Sequence, residues 1–191
     1  MGTWVRIKDF VIASGLEPWL RPIWMKLTGK KLSEHDGQLF QLVKDHLKPE
    51  SVCIDVGCHK GLILDVMVRN CPRGRFFAFE PIPYNFALLQ RKYRNNPRVK
   101  VFDVAAYSEN GQATFHVDVR APGLSGLRRR TISGSTQETR EIRVKTGKLD
   151  DLLLGIRPDF IKIDVEGAEF HVLARIMQRF DGYGALGAAL V

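Results

Sequence analysis

The chain has 191 residues, 45% of them apolar and 26% charged, a balance typical of one soluble globular domain and not of a disordered or fibrous protein. Three cysteines without a CxxC pair exclude a disulfide scaffold, and no run approaches the roughly 20 apolar residues that a membrane-spanning helix needs. The N-terminus has neither a secretory signal nor a myristoylation motif, so we expect a cytoplasmic protein.

The formal charge of +8 is concentrated in one segment. Residues 120–148 hold eight Lys or Arg and two acids, which gives +6 (8 − 2). The segment is rich in Gly, Ser and Thr and carries Arg128, Arg129 and Arg130, so it predicts a solvated basic loop or a contact with an anionic substrate or membrane surface. Nucleic acid is not an expected partner, because the charge is not spread along helices with interleaved aromatic residues.

The first 50 residues predict a helical segment, whose apolar stripe runs from Leu39 to Leu47. After it, short apolar runs alternate with helical stretches. The predicted elements are strands at 52–54, 75–79 and 99–104, and helices at 62–69 and 84–94. Such alternation indicates a parallel sheet covered on both faces, so the expected fold class is α/β, doubly wound and Rossmann-like.

The second half of the chain first departs from this pattern and then returns to it. The turn at Asn110-Gly111 and the alternation at 113–117 and 141–145 predict an antiparallel excursion. A short helix at 149–154, a fourth strand at 160–163 and a helix at 168–180 follow.

The last residues, 181–191, are small and glycine-rich, with no room for a strand, a helix and a second strand. The sheet is therefore expected to lack its C-terminal strands and to have an open edge, which a second copy of the chain would cover. The predicted organisation is a helical segment at 1–50, a ligand-binding α/β domain at 51–180 and a tail at 181–191.

A glycine turn, residues 57–61, follows the first strand. In a doubly wound sheet such a turn holds adenosine-type ligands, because glycine lets ligand atoms approach the backbone. Asp55, just before it, is placed to accept from a cationic amino group. His59 stands where a dinucleotide fingerprint has its second glycine, which disfavours a pyrophosphate and hence a nicotinamide-dependent oxidoreductase.

Acidic residues end the later strands. Glu80, nineteen positions after Gly61 (80 − 61), is placed to accept both hydroxyls of a ribose, and Asp103 to reach an adenine amino group. Asp164 closes the fourth strand near Glu166, in the crevice where strand order reverses. Each acid alone has a structural explanation, as a solvent-facing strand end or a charge at a helix N-terminus, but together they indicate an adenosine ligand.

These motifs follow one order and spacing from about residue 51 to residue 173. They are the segment 55–61, Phe79-Glu80-Pro81, Ala105 with Gly111, Leu149-Asp150-Asp151, the strand-to-helix motif 159–169 and Val172-Leu173, with Ser125-Gly126-Leu127 as a weaker one. In this the chain resembles the FkbM family of S-adenosylmethionine-dependent methyltransferases. It departs from the family at His59, where Asn is usual, and at Tyr107, where a small residue is usual.

The resemblance implies a class I methyltransferase fold, S-adenosyl-L-methionine as cofactor, and a hydroxyl of a sugar, glycolipid or related small molecule as acceptor. The cofactor-binding residues it implies are Asp55, Val56, Gly57, Cys58, His59, Gly61, Glu80, Pro81, Asp103, Val104 and Ala105. Asp164 and Glu166 would face the acceptor and be catalytic, with Asp164 favoured over His59 as the general base. No metal is expected, because two carboxylates fall short of the roughly six oxygens that a hard cation prefers.

Three functions remain open from the sequence. The first is an active O-methyltransferase. The second is an inactive or cofactor-binding fragment, since missing strands would remove a wall of the acceptor pocket. The third is a nicotinamide-dependent oxidoreductase, which His59 disfavours.

Overall fold

Two sheets and four helices make up the computed structural model, which describes residues 13–14, 34–118, 125–127, 139–165 and 187–190. The helices are α1 (Glu34–His46), α2 (Leu62–Asn70), α3 (Pro83–Tyr93) and α4 (Leu149–Leu152). The strands are β1 (Val52–Val56), β2 (Arg75–Phe79), β3 (Val99–Phe102), β4 (Val104–Ala106), β5 (Gly111–Asp118), β6 (Thr139–Gly147), β7 (Phe160–Ile163) and β8 (Gly187–Leu190). Among the described helices, none has the length and apolar character that crossing a bilayer requires; a cytoplasmic location stays a prediction.

The larger sheet has the order β3-β2-β1-β7-β8, and every neighbouring pair in it is parallel. The predicted α/β class with a doubly wound, mostly parallel sheet is thereby confirmed. From β1 the chain builds outward to β2 and β3, and then returns to the other side of β1 with β7. The strand order therefore reverses between β1 and β7, which is where ligands bind in this class of sheet.

Both faces of the larger sheet are covered, which explains why β1 and β7 are buried at every position. One face packs its Cys53, Phe76 and Phe160 against α1, α2 and α3. The other packs Ile54, Ile161 and their neighbours against the segment that contains α4. Predicted and observed bounds agree for β2 and β7; they differ by one residue at the C-terminal end of α2 and at both ends of α3.

The tail prediction is wrong in one respect. Gly187–Leu190 forms β8 and pairs in parallel with β7, so the larger sheet has five strands and not four. The small residues of this strand lack the β-branched and aromatic side chains that mark strands locally. Pairing beside the buried β7 depends on backbone hydrogen bonds, which small residues form as well.

The predicted third strand, 99–104, is also wrong, because the chain leaves the larger sheet at Asp103. The residues after it form β4, in a second sheet of order β4-β6-β5, where β4 runs parallel and β5 antiparallel to β6. The antiparallel excursion is confirmed, but Asn110-Gly111 does not close a hairpin. The Asn110 side chain instead accepts from the Lys148 backbone N–H at 2.9 Å and donates to Asp151 at 2.7 Å.

Some predictions fall outside the described residues. These are the helix at 168–180, Glu166, and the basic cluster Arg128, Arg129 and Arg130. The three cysteines, in contrast, are all described, and each is a buried free thiol.

Candidate functional site

A cleft of about 210 Å³ lies at the carboxyl ends of β1, β2 and β7, between the two sheets. Its lining includes many of the residues predicted from the sequence: Val56, Gly57, Cys58, His59, Glu80, Pro81, Val104, Ala105 and Asp164. Asp55, Gly61 and Asp103 are not part of the lining. The position of the cleft is the one expected for a ligand site at the switch point of a doubly wound sheet.

The glycine turn is fixed by its backbone. The N–H groups of Gly57 and Cys58 both donate to the carbonyl oxygen of Phe79, at 3.0 and 3.1 Å. Gly57 and Gly61 have φ angles of 74° and 77°, and a Cβ at Gly57 would overlap the carbonyl oxygen of Asp164. The turn thus presents bare main chain to the cleft, in a conformation that only glycine adopts without strain.

His59 shares the left-handed conformation, with a φ of 49°. Histidine, like Asn, adopts this region more readily than most residues other than glycine, so the departure at this position is compatible with the conformation of the turn. The His59 backbone N–H donates to Glu80 at 2.8 Å, which links the glycine turn to the end of β2.

Glu80 is buried, and its carboxylate accepts three hydrogen bonds from the protein. Oε1 accepts from the backbone N–H of Ile82 at 3.0 Å and the Asn85 amide at 3.3 Å, while Oε2 accepts from the backbone N–H of His59 at 2.8 Å. A carboxylate has about four acceptor positions. One position on Oε2 therefore remains for a ligand hydroxyl. Burial outweighs the three donors and raises the pKa of Glu80 to about 7.

Lys162 was not predicted as a site residue, yet it is the buried cation of the cleft. It donates to the carbonyl oxygen of Gly57 at 2.9 Å, and its Nζ lies 3.2 Å from Asp55 Oδ1 and 3.5 Å from Asp164 Oδ2. One signal could have revealed it, because a lysine at the centre of the otherwise apolar strand Phe160–Ile163 must find a partner. Asp55, expected to accept a ligand's amino group, faces this internal ammonium.

Burial and neighbouring charges shift the pKa values of Asp55 and Lys162. Burial raises the pKa of Asp55, and the Lys162 ammonium opposes that rise without cancelling it. Burial lowers the pKa of Lys162, but Asp55 and Asp164 outweigh this effect and raise it above its ordinary value. Lys162 is therefore a protonated ammonium at neutral pH.

Asp164 follows β7 directly and is held at two points. Its backbone N–H donates to the Val56 carbonyl at 3.0 Å, and its carboxylate lies beside Lys162. The side chain keeps 34% of its surface exposed and lines the cleft, so it is accessible to a bound molecule. In the described part of the chain, no three His, Cys, Asp or Glu side chains lie close enough to hold a metal ion.

Asp103 lies outside the cleft and forms an exposed ion pair with Lys145 at 2.6 Å. The residues after it, Val104 and Ala105, line the cleft. Near them, the rings of Phe79 and Phe102 stack at 4.7 Å. This end of the cleft is thus apolar, which suits a flat aromatic base. The Asp103 carboxylate, which the sequence predicted to contact such a base, faces solvent.

Further lining residues of the cleft come from distant parts of the chain. Leu39 of α1, Phe115 of β5, and Ser125 and Leu127 of the excursion line the cleft. Ser125 is held in place by accepting the Asp118 backbone N–H at 3.0 Å. Sequence reasoning noted the Ser125-Gly126-Leu127 motif as a family signal. It did not assign Leu39 or Phe115 to the site, because no local pattern groups residues so far apart.

The model of the family described as "Methyltransferase FkbM domain" matches residues 55–182, about two thirds of the chain (128 of 191). Among curated relatives, 2-O-methyltransferase NoeI of Sinorhizobium fredii is 29% identical over 150 residues, which cover 70% of this chain and 60% of that protein. Methyltransferase 1 of Beauveria bassiana is 29% identical over 143 residues, covering 65% and 57%. The chain thus spans somewhat over half the length of these relatives.

Among solved structures, a precorrin-6y C5,15-methyltransferase from Geobacter metallireducens GS-15 superposes with a TM-score of 0.49 and 14% identity. The superposition covers 84% of this chain and 63% of that one. A likeness at this level adds no argument about the reaction. The family match rests on the sequence.

Proposed function

Because the chain belongs to the FkbM methyltransferase family, whose methyl donor is S-adenosyl-L-methionine, we propose that it methylates a hydroxyl of a sugar, glycolipid or related small molecule. The observation that carries the proposal is the cleft at the switch point, which combines a bare glycine turn with the carboxylates of Glu80 and Asp164. The name of the relative NoeI, a 2-O-methyltransferase, supports oxygen as the atom methylated.

The residues of the cleft fit this cofactor. At Gly57 the backbone comes so close to the Asp164 carbonyl that no side chain is possible, so glycine is needed for the loops after β1 and β7 to meet at the cleft. The remaining acceptor position of Glu80 suits a ribose hydroxyl. Val104 and Ala105 supply an apolar surface for the adenine. Asp55, Gly61 and Asp103 do not line the cleft, so their contacts with the cofactor stay predictions.

When bound, the cofactor supplies an electrophilic methyl group on a sulfonium, which a hydroxyl oxygen takes by in-line displacement. The acceptor hydroxyl must also lose its proton for the transfer to be complete. In this proposal Asp164 accepts that proton, and the support for this role is its partly exposed carboxylate in the cleft lining. The walls of the cleft orient the acceptor and exclude water.

The first test is a calorimetric titration of the protein with S-adenosylhomocysteine, followed by incubation with methyl-labelled S-adenosyl-L-methionine and a panel of sugars, glycolipids and lipo-oligosaccharides. We expect saturable binding at one site and transfer of label to a hydroxyl of at least one acceptor. Binding without transfer to any acceptor would favour the inactive-fragment alternative. Binding of a nicotinamide dinucleotide in place of S-adenosylhomocysteine would contradict the proposal.

Cofactor affinity should depend on the protonation of Glu80, whose pKa is about 7. The ionised carboxylate accepts a ribose hydroxyl better than the neutral acid, so binding should tighten as pH rises through that value. If only the ionised form binds, the dissociation constant falls about tenfold between about pH 6 and about pH 8. The probe is 5′-deoxy-5′-methylthioadenosine, which has no amino-acid group to titrate in this range.

The matched control is Glu80→Gln, which cannot ionise. We expect it to bind the probe more weakly than the ionised wild type and to show no pH dependence over the same range. A wild-type dissociation constant that stays flat, or a variant that keeps the wild-type slope, would show that Glu80 does not bind the ribose.

A further inference from the structure

Lys162 presents a buried ammonium to three oxygen atoms. It lies 2.9 Å from the carbonyl of Gly57, 3.2 Å from Asp55 and 3.5 Å from Asp164. Of these three contacts, the one with the Gly57 carbonyl is a hydrogen bond, and those with the two carboxylates are ion pairs. Lys162 lines the cleft, but its ammonium is engaged by oxygen atoms of the protein itself.

The oxygens that Lys162 holds have a common location. Gly57 follows β1 and Asp164 follows β7, so the ammonium ties the two loops that leave the sheet on either side of the switch point. The backbone bond from Asp164 to Val56 ties the same two loops. Because burying charges is costly unless they are paired, this arrangement fixes the Gly57 carbonyl and the Asp164 carboxylate firmly.

The order of the strands assigns this region to one end of the ligand. Under the proposed function, Glu80 after β2 takes the ribose and Val104 of β4 takes the adenine, on the far side of β1 from β7. The part of the cofactor beyond the ribose must then extend towards β7. The loops that Lys162 joins are therefore the ones that meet the amino-acid half.

We infer that Lys162 is a positioning residue, which builds the amino-acid end of the cofactor site by holding the Gly57 carbonyl and the Asp164 carboxylate without touching the cofactor. The inference rests on the proposed function, since it assumes this cofactor. In this role, a charged side chain within an otherwise apolar buried strand has a function.

Two probes separate the ends of the site. S-adenosylhomocysteine carries the amino-acid half, whereas 5′-deoxy-5′-methylthioadenosine keeps the nucleoside and lacks it. The dissociation constants of both would be measured by calorimetry for wild type, Lys162→Met and the double variant Asp55→Asn/Lys162→Met. The double variant removes both buried charges, so it provides a folded protein if the single variant is destabilised by an unpaired Asp55.

The matched control is Arg98→Met. Arg98 donates to the backbone carbonyls of Cys71 at 2.8 Å and Gly74 at 3.4 Å, at the amino end of β2 and outside the cleft lining. It therefore reports what the loss of a cation that holds backbone carbonyls does to the fold alone. Its melting temperature should fall while both dissociation constants stay within about threefold of wild type, because stability and cofactor contacts are independent at distant sites.

For Lys162→Met and for the double variant, we expect binding of S-adenosylhomocysteine to weaken about tenfold or more, because the Gly57 carbonyl and the Asp164 carboxylate are no longer held in place. Methylthioadenosine binding should stay within about threefold of wild type.

Equal weakening of both probes, or no change in either, would overturn the inference and leave Lys162 a structural residue. Wild type that binds methylthioadenosine but not S-adenosylhomocysteine would also overturn it. Wild type that binds neither would refute the proposed function itself.

Discussion

Replacing Gly57 with alanine should abolish cofactor binding and strongly destabilise the protein. The added Cβ overlaps the carbonyl oxygen of Asp164, and the φ of 74° is itself unfavourable for alanine by about 1–2 kcal/mol. Relief of the overlap requires the glycine turn and the loop after β7 to separate. That movement would break the bond from Lys162 to the Gly57 carbonyl and distort the cleft.

The control for this variant is Gly155→Ala. Gly155 has nearly the same φ, 75°, but no atom lies within 4 Å of the position its Cβ would take. It therefore measures the backbone strain alone, and we expect a loss of about 1–2 kcal/mol in unfolding free energy with normal binding of S-adenosylhomocysteine. The comparison requires chemical denaturation and calorimetric titration of both variants. Similar stability and similar affinity in the two would show that the close approach at Gly57 is unimportant.

Replacing Asp164 with asparagine should lower turnover far more than it weakens cofactor binding. The variant keeps the shape of the side chain but removes the carboxylate that, under the proposed function, accepts the hydroxyl proton. Loss of a general base lowers the rate by about 10²–10⁴-fold. We expect the dissociation constant of S-adenosylhomocysteine to rise by less than about tenfold, a smaller loss than for Lys162→Met. The variant loses one carboxylate charge, but the bond from Lys162 to the Gly57 carbonyl and the backbone bond to Val56 remain.

Turnover would be measured at saturating cofactor, with an acceptor identified in the labelling panel. Asp45→Asn, which removes an exposed carboxylate from α1, is the control for a general change of charge. A turnover number for Asp164→Asn within about threefold of wild type would exclude Asp164 as the base. A loss of affinity as large as the loss of turnover would instead assign it to cofactor binding.

The sequence predicts the parallel core well, because that core depends on local patterns. Buried strands such as Phe160–Ile163 stand out as short apolar runs, and their ends are marked by Glu80 and Asp164. Since the carboxyl ends of parallel strands meet at one edge, the strand ends alone locate the cleft. The glycines that follow β1 then identify the side at which a ligand approaches the backbone.

Contacts between distant residues could not be predicted in this way. Asp55 and Lys162 meet only because β1 pairs with β7, so an expected ligand contact became an internal ion pair. Asp103 falls in a run that reads as one continuous strand, and the pairing of β4 with β6 divides that run between two sheets. For Glu80 the sequence indicates a carboxylate at the strand end, but not the three donors that already occupy most of it.

The second sheet begins one residue after β3 and returns to the core at α4. Its strands β5 and β6 pair from Gly111 and Thr146 to Asp118 and Thr139, and Phe115 from this ribbon faces the cleft. Insertions at the far end of the ribbon can lengthen or reshape that wall without shifting the register of any parallel strand. Under the proposed function, recognition of a new acceptor can therefore evolve in the β5–β6 ribbon, while β4, which carries Val104 and Ala105, keeps its place beside the cofactor.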